Sequence, residues 1–452
     1  MSKFDERMTL VPWANDLPSD WQYSRIDSVA DVLFSNVDKI TIEGEESVRL
    51  CNYVDVYKND RITSKLDFMV ASAEAREIEK FTIRRHDVLA TKDSESPGDI
   101  AIAAMVVEDM PGVLCGYHLA LMRPRSIRIS GPFIAWVHAS KQIRAQYEAN
   151  AVGVTRFGLS QHTFRSARLP LPPLPEQHRI SAYLDASCAA IDAAVSAKRR
   201  QLDTLDALRK SIIQRAVTRG IAPYAALETT GNVWLEQIPR GWKLVALKRI
   251  AEIRGGLTLG KQYEGALIER AYLRVGNVQD GHLDLADVSV IELPASVAAG
   301  VELCPDDVLM TEGGDLDKLG RGHLWRGEIT GCLHQNHIFA VRCFAHKLKP
   351  MFLAYATAAQ YGRDYFEATG KKTTNLANTN ATKVGQFPIP LPPLAEQEAI
   401  CTHLDAKTAE VNRITATITA QIETLTAYRK SLIHECVTGQ RRVTDADVRA
   451  SA

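Results

Sequence analysis

The chain contains one long segment twice. Pro170-Leu171-Pro172-Pro173-Leu174-Pro175-Glu176-Gln177 opens the first copy, and Pro390-Leu391-Pro392-Pro393-Leu394-Ala395-Glu396-Gln397 opens the second, 220 residues further on. Aligned without a gap, residues 170–220 and 390–440 agree at 22 of 51 positions. The shared positions include Ile180/Ile400, Leu184-Asp185-Ala186/Leu404-Asp405-Ala406, Gln201/Gln421, Arg209-Lys210-Ser211/Arg429-Lys430-Ser431 and Val217-Thr218/Val437-Thr438. Agreement of that length is more than composition produces. A period of 220 residues is several times that of a solenoid, so the unit repeated is a whole domain plus a helix.

The repeated segment has the spacing of a helix. Pro175 suits a first turn, and Glu176 suits the positive end of the helix that follows, to about residue 218. Apolar or small residues at Ile180, Leu184, Cys188, Ile191, Val195, Leu202, Leu205 and Ile212 form a heptad-like seam. Lys198 interrupts it, although its stem can pack. The second helix, from 396 to about 437, carries Ile400, Leu404, Val411, Ile418, Ile422, Leu425 and Leu432. About 43 helical residues at roughly 1.5 Å each span on the order of 64 Å. A helix of that length with a single apolar stripe needs a partner. The expected architecture is mixed α/β: two pseudo-symmetric globular domains separated by two long helices that pack as an antiparallel coiled coil. The alternative is that each helix packs only on its own domain, but both seams run further than one small domain covers.

The segments are therefore 1–169, a globular domain; 170–220, the central proline box and long helix; 221–389, a second globular domain; and 390–452, the second box, helix and tail. In the first domain, β-like runs lie at Val48–Val54, Ile100–Val107 and Gly116–Met122, and helical spacing runs from Phe133 to Tyr147. The second domain repeats the first weakly. Trp234 to Trp242 echoes Trp13 to Trp21, Asp307–Thr311 aligns with Asp87–Thr91, and His337–Arg342 aligns with His118–Arg123. Arg441 to Ala452 is polar and is expected to fray.

Lys and Arg balance Asp and Glu at 54 each, so any nucleic-acid contact must be made by a local basic face. No run of 18 apolar residues predicts a membrane span, and the first residues lack the apolar core of a secretory signal, so a cytoplasmic location is expected. The eight cysteines contain no CxxC pair, which disfavours structural zinc. Absent too are a GxxxxGK[ST] phosphate loop, a glycine-rich turn and [DN]PP[YF] box for amino-group methylation, an HExxH helix and a GxSxG elbow. Asp306-Asp307 and Glu302/Asp315 are the nearest approach to a metal-binding carboxylate cluster, but acidic residues at a strand start or turn account for them better.

Polar loops are the better candidates for function. The stretch 311–323 interleaves Lys318 and Arg321 with glycines, which allows close backbone approach to phosphates or a groove. The stretch 369–380 offers Lys371 and Lys372 for phosphates and amides such as Asn375 for adenine edges. In the first domain, Arg156, Gln161, His162 and Arg165 precede the proline box in the corresponding place. Each also reads as a solvated loop, as does the run Arg123 to Arg128. The aligned His118 and His337 read as structural or surface residues.

The doubled PLPPLPEQ and PLPPLAEQ boxes, each followed by Ile-x3-Leu-Asp and closing on Arg-Lys-Ser, resemble the specificity subunit of type I restriction-modification systems. The resemblance spans the whole order of domain, helix, domain, helix. It implies that residues 1–169 and 221–389 are target-recognition domains, each reading half of a split site in double-stranded DNA, and that the helices fix the separation and dock two methyltransferase subunits. Restriction subunits would complete an ATP-dependent nuclease. S-adenosylmethionine, ATP and magnesium would then sit in the partner chains, methylation would fall on adenine N6, and this chain would hold no cofactor and perform no catalysis. The competing readings are a coiled-coil scaffold without DNA specificity, which the neutral charge favours, and an enzyme, for which no cofactor pocket is legible.

Overall fold

The structure, a computed structural model, describes residues 13–14, 17–125, 127–279, 281–314, 316, 319–372 and 377–451. The two long helices run Leu174–Arg219 and Leu394–Val437, starting two residues earlier than the sequence suggested. Each follows a Pro-Pro pair that cannot continue a helix backwards, and the Pro173 and Pro393 carbonyls accept the first helical N–H groups, from Glu176 and Gln177 and from Glu396 and Gln397. Gly220 closes the first helix with φ +72°, a left-handed conformation costly to any residue with a Cβ.

The chain divides into two compact units, and the division cuts both long helices. Unit 1 is Met1–Lys198 with Ala420–Ala452, and unit 2 is Arg199–Thr419. Each globular domain is thus joined by the start of its own helix and the end of the other one. In unit 1, Lys198 Nζ donates to Gln421 Oε1 at 2.6 Å and Arg429 Nε pairs with Asp192 at 3.0 Å. The partner number falls as the other rises, so the helices run antiparallel. The two long helices pack together as a coiled coil, and the alternative of each helix serving only its own domain is excluded. Ile180, Leu184, Cys188, Ile191, Ile400, Leu404, Val411, Ile418 and Leu432 are buried, whereas Val195, Leu202, Leu205, Ile212, Ile422 and Leu425 are half-buried. Lys198 is itself half-buried along its stem, as the seam requires.

The core of unit 1 is a five-stranded sheet in the order Ala30–Phe34, Leu119–Pro124, Val88–Thr91, Ala103–Val106, Arg61–Ile62. Only the last pair is parallel. A second sheet joins Met69–Ala73, Glu46–Cys51 and Val113–Cys115. The run 48–54 therefore ends as a strand at Cys51, because Asn52 and Asp55 form a capping box that starts the helix Tyr53–Lys58. The strand expected from Ile100 begins only at Ala103, after a 3-10 turn at Pro97–Asp99. The strand expected from Gly116 begins at Leu119 and runs to Pro124. The single helix expected from Phe133 to Tyr147 is two, Gly131–Ala139 and Lys141–Glu148. Ser140 breaks it with extended backbone, and its hydroxyl meets His434 Nδ1 of the second long helix at 3.0 Å. The tail does not fray. Arg442 grips Asp20 through both carboxylate oxygens at 2.8 Å and Glu176 at 2.9 Å, Val443 is buried, and Asp445–Ser451 is helical.

Unit 2 repeats this plan with a four-stranded sheet, Ala251–Gly255, Ile338–Cys343, Val308–Thr311, Gly322–Leu324. Beside it lies the sheet Ser289–Leu293, Ile268–Leu273, Leu333–His334. In each unit the proline box is a short strand, Arg168–Leu171 paired with Gln22–Arg25 and Pro388–Leu391 paired with Lys243–Ala246. Prolines are tolerated there because the ribbon has two strands only and hence free edges.

The duplication extends to single hydrogen bonds, which explains the box residue by residue. Gln177 is buried, its amide donating to the Arg128 and Pro172 carbonyls and accepting from the Ser130 N–H. Gln397 does the same with Lys347, Pro392 and Lys349. The Trp21 indole donates to Glu176 and the Trp242 indole to Glu396, both at 3.1 Å. Asp185 accepts from the Trp136 indole at 2.8 Å, and Asp405 accepts from the Tyr355 hydroxyl at 2.5 Å. These bonds lock the first turns of each helix onto its own domain.

Buried His138 carries a pH prediction for unit 1. Its ring nitrogens meet the Ile134 carbonyl at 2.8 Å and the Tyr147 hydroxyl at 2.9 Å, and burial, with Arg144 as the nearby cation, pushes its pKa down from 6.5 to about 4. The unfolded chain therefore takes up the proton first as the pH falls. Stability is complete above pH 6.5 and is lost between 6.5 and about 4, by roughly 3 kcal/mol over the whole window. Unfolding midpoints of wild type and His138→Gln between pH 7 and 5 measure it. The wild type should fall more steeply, and parallel curves would refute the assignment.

Candidate nucleic-acid interface

In unit 1, the ribbon Asp93–Ser94 with Phe157–Gly158 stands beyond the central sheet. Arg156 lies on it and pairs with Asp93 at 2.6 Å, while His118 meets the same carboxylate at 2.9 Å. Lys92 sits beneath, its ammonium 4.4 Å from the Tyr117 ring and 5.2 Å from the Phe34 ring, and burial lowers its pKa. In unit 2 the matching pair is His337 with Glu312 at 3.0 Å. The aligned histidines thus hold a loop carboxylate in each unit, an arrangement visible in sequence only as Asp93/Glu312 and His118/His337 at a shared offset.

The two loops singled out in unit 2 meet. Gly313–Gly314, Ala377–Asn378 and Lys371–Lys372 form one three-stranded sheet, and the Thr379 N–H donates to the Glu312 carbonyl at 2.8 Å. Lys371 and Lys372 are exposed on it. Lys318 and Asn375 lie outside the described residues. Arg321 is half-buried and lines a groove of about 570 Å³ with Arg209, Arg326, Arg363, Tyr355 and Asn412.

The four candidates of unit 1 separate. Arg156 alone occupies the place equivalent to the lysine hairpin. Gln161, His162 and Arg165 lie on the short helix Gln161–Ser166, capped by Ser160, whose counterpart is Ala381–Gln386, capped by Asn380. Arg165 donates to the Val32 carbonyl at 2.8 Å and Gln161 approaches the same oxygen at 3.4 Å, so both serve the fold, while His162 is exposed. The run at Arg123 is a solvated loop only beyond its first residues, where Arg125, Ile127 and Arg128 are exposed. Arg123 forms a two-point pair with Asp87, and Arg125 binds Asp31.

The carboxylates weighed as a metal cluster are committed elsewhere. Asp307 is buried against Arg342, which holds it with two bonds of 2.8 Å, and the pairing raises the guanidinium's pKa. Asp306 adopts φ +72° in the turn before it, as His86 does at φ 71° before Asp87. Asp315 lies outside the described residues. Among the described residues no group of three potential ligands gathers, and no helix is long and apolar enough to cross a membrane.

A doubled mixed domain, each copy keyed to a long helix and presenting a hydrogen-bonded ribbon, defines a protein built from two related domains. Residues 18–201 and 329–424 match the family described as type I restriction modification DNA specificity domain, and the chain belongs to that family. It is 21% identical over 444 residues to the type I restriction enzyme EcoKI specificity subunit of Escherichia coli K12, covering 94% of this chain and 90% of that one. It is 27% identical over 204 residues to a putative type I restriction enzyme MjaX specificity subunit of Methanocaldococcus jannaschii, and spans 47% of that relative's length. Two solved structures share the fold. A chain from a study of complex assembly and conformational transition of the type I R-M system has a TM-score of 0.72 at 19% identity, covering 94% of this chain and 99% of that one. The HsdS subunit from Thermoanaerobacter tengcongensis has a TM-score of 0.53 at 17% identity, covering 94% and 98%.

Proposed function

We propose that this chain is the non-catalytic specificity subunit of a type I restriction-modification complex and reads a bipartite DNA site, one half per globular domain. The observation that carries the reading is the contrast between what is duplicated and what is not. Internal bonds such as those of Gln177/Gln397, Trp21/Trp242 and Asp87/Asp307 are repeated, while the polar ribbons differ in chemistry. One scaffold with two different reading surfaces suits a duplex whose backbone is uniform and whose two half-sites are not. Linking the two domains raises the effective concentration for the second half-site once the first is bound.

Arg156, His162, Lys371 and Lys372 are the exposed candidates for DNA contact. Arg321, Gln161 and Arg165 would join them from half-buried positions, and Lys318 and Asn375 on their sequence context. The long helices would set the gap between half-sites and dock two methyltransferase subunits. Gln201/Gln421, Thr204/Thr424 and Lys210/Lys430 are identical between the copies although exposed, which suits two copies of one partner. Restriction subunits would join the same assembly. Methylation at adenine N6 with S-adenosylmethionine, and translocation with ATP and magnesium, would belong to those chains.

Replacing residues 221–389 with those of a relative should change one half of the methylated site and leave the other half as it was. Sequencing of modified adenines in cells carrying each version reads the outcome. If both halves change, the domains do not read autonomously.

A further inference from the structure

The ribbon that carries Arg156 ends in a turn with an unusual surface. Val152 and Gly158 exchange two backbone hydrogen bonds of 3.0 Å, closing a tight loop over residues 153–157. Gly153 is required inside it: its φ is +152°, and a Cβ there would stand 1.9 Å from the Arg156 carbonyl oxygen. The loop is tethered on both sides. Arg156 is bound to Asp93, the Leu159 N–H donates to the Lys92 carbonyl at 3.1 Å, and the Ala151 N–H donates to the Glu148 carbonyl at 3.2 Å. This anchored turn holds two valines out in water, Val152 at 80% and Val154 at 92% exposure. Neither contributes to a core, and β-branched side chains lose little rotamer freedom on contact.

Unit 2 builds the same ribbon with different chemistry. Phe157–Gly158 corresponds to Ala377–Asn378, and the residue facing Asn378 is Lys371, as the residue facing Gly158 is Val152. One scaffold position therefore presents a valine in one unit and an exposed lysine in the other. A protein partner shared by both units would meet like surfaces at like positions. A DNA duplex, with one backbone and two different half-sites, fits the difference. A lysine there suits phosphate or guanine, whereas an apolar tip flanked by a cation suits the one methyl group on the base edges of unmodified DNA, the C5 methyl of thymine in the major groove.

We propose that Val152 and Val154 form the tip by which unit 1 reads thymine methyl groups in its half-site. This rests on the DNA-reading function proposed above and assigns the specificity of one of its two lobes. Rigidity at the tip lowers the ordering cost of the contact.

The test uses the full chain, purified with the subunits it assembles with, and an unmodified duplex carrying the site at which it directs methylation. Each thymine of the half-site read by unit 1 is replaced in turn by uracil, which removes only the methyl group. Wild type should bind at least one such duplex about fourfold more weakly, the worth of one buried methyl group. Val154→Ala or Val152→Ala should bind that duplex and the thymine duplex equally, while uracil in the other half-site has the same effect on all versions. Val154→Thr keeps the shape of the tip and serves as a second variant. Indifference of wild type to uracil throughout that half-site would overturn the proposal, and so would discrimination that survives both alanine variants. If wild type does not distinguish its site from a scrambled duplex, the DNA-reading function itself falls and this inference falls with it.

Discussion

Lengthening both long helices by seven residues, after Thr204 and after Thr415, should lengthen the preferred gap between half-sites by one to three base pairs. The register that sets Lys198 beside Gln421 places these two insertion points opposite each other. Seven residues are close to two turns, so the seam stays nearly in phase, drifting by only about 20°. They add about 10 Å of axis, which is three steps of B-DNA at roughly 3.4 Å each. Three is an upper bound, because each added base pair also turns the next half-site by about a tenth of a helical turn. Binding to the original site should fall at least about a hundredfold, since a half-site out of reach loses several base pairs worth roughly 1–3 kcal/mol each. A library of targets differing only in gap length, selected by binding, reads the shift. An unchanged preferred gap would show that the helices do not set the separation.

The second large effect concerns stability. Asp307→Ala should destabilise unit 2 by about 3 kcal/mol, because it strands the Arg342 guanidinium and removes the acceptor of the Cys304 N–H, which Asp307 meets at 2.8 Å. The loss falls at the lower end of the range for broken buried pairs because the Arg342 side chain is 34% exposed and can reach water. For a unit of this size the melting temperature should drop by roughly 6–12 °C. Replacing both partners by apolar residues, Asp307→Leu with Arg342→Met, should recover part of the loss, since the stranded charge goes while the Cys304 N–H still lacks its acceptor. Calorimetry of the two variants decides it. A double variant no better than the single one would show that the pair specifies the strand register beyond its own charge.

The repeat made the architecture legible because its cause is local to the helices. Seam positions such as Ile180, Leu184, Ile400 and Leu404 follow from periodicity, and the Pro-Pro pairs mark where each helix must start. The break at Ser140 was not legible. The same break recurs in unit 2 at Ala359, which has no hydroxyl to donate, so the packing of each domain sets it and not the contact of Ser140 with His434. The folded tail depends on Arg442 finding Asp20 and Glu176, a long-range match that polarity at the C-terminus hides. The run at Arg123 misled for the same reason. Arg123 looks like surface charge in sequence, yet the buried Asp87 holds it with two bonds.

The sequence by itself determined that this protein is a domain-plus-helix unit used twice, because a repeat and a heptad-like spacing are properties of neighbours along the chain. Only the tertiary structure decided that each globular domain is completed by the start of one helix and the end of the other. It also decided that the glutamine, glutamate and aspartate shared by the two copies are keys to the domain behind them, and that Val152 and Lys371 occupy equivalent positions on the ribbons of the two units. Those relations are made by contacts between residues far apart in sequence, and the chain must fold before its order can express them.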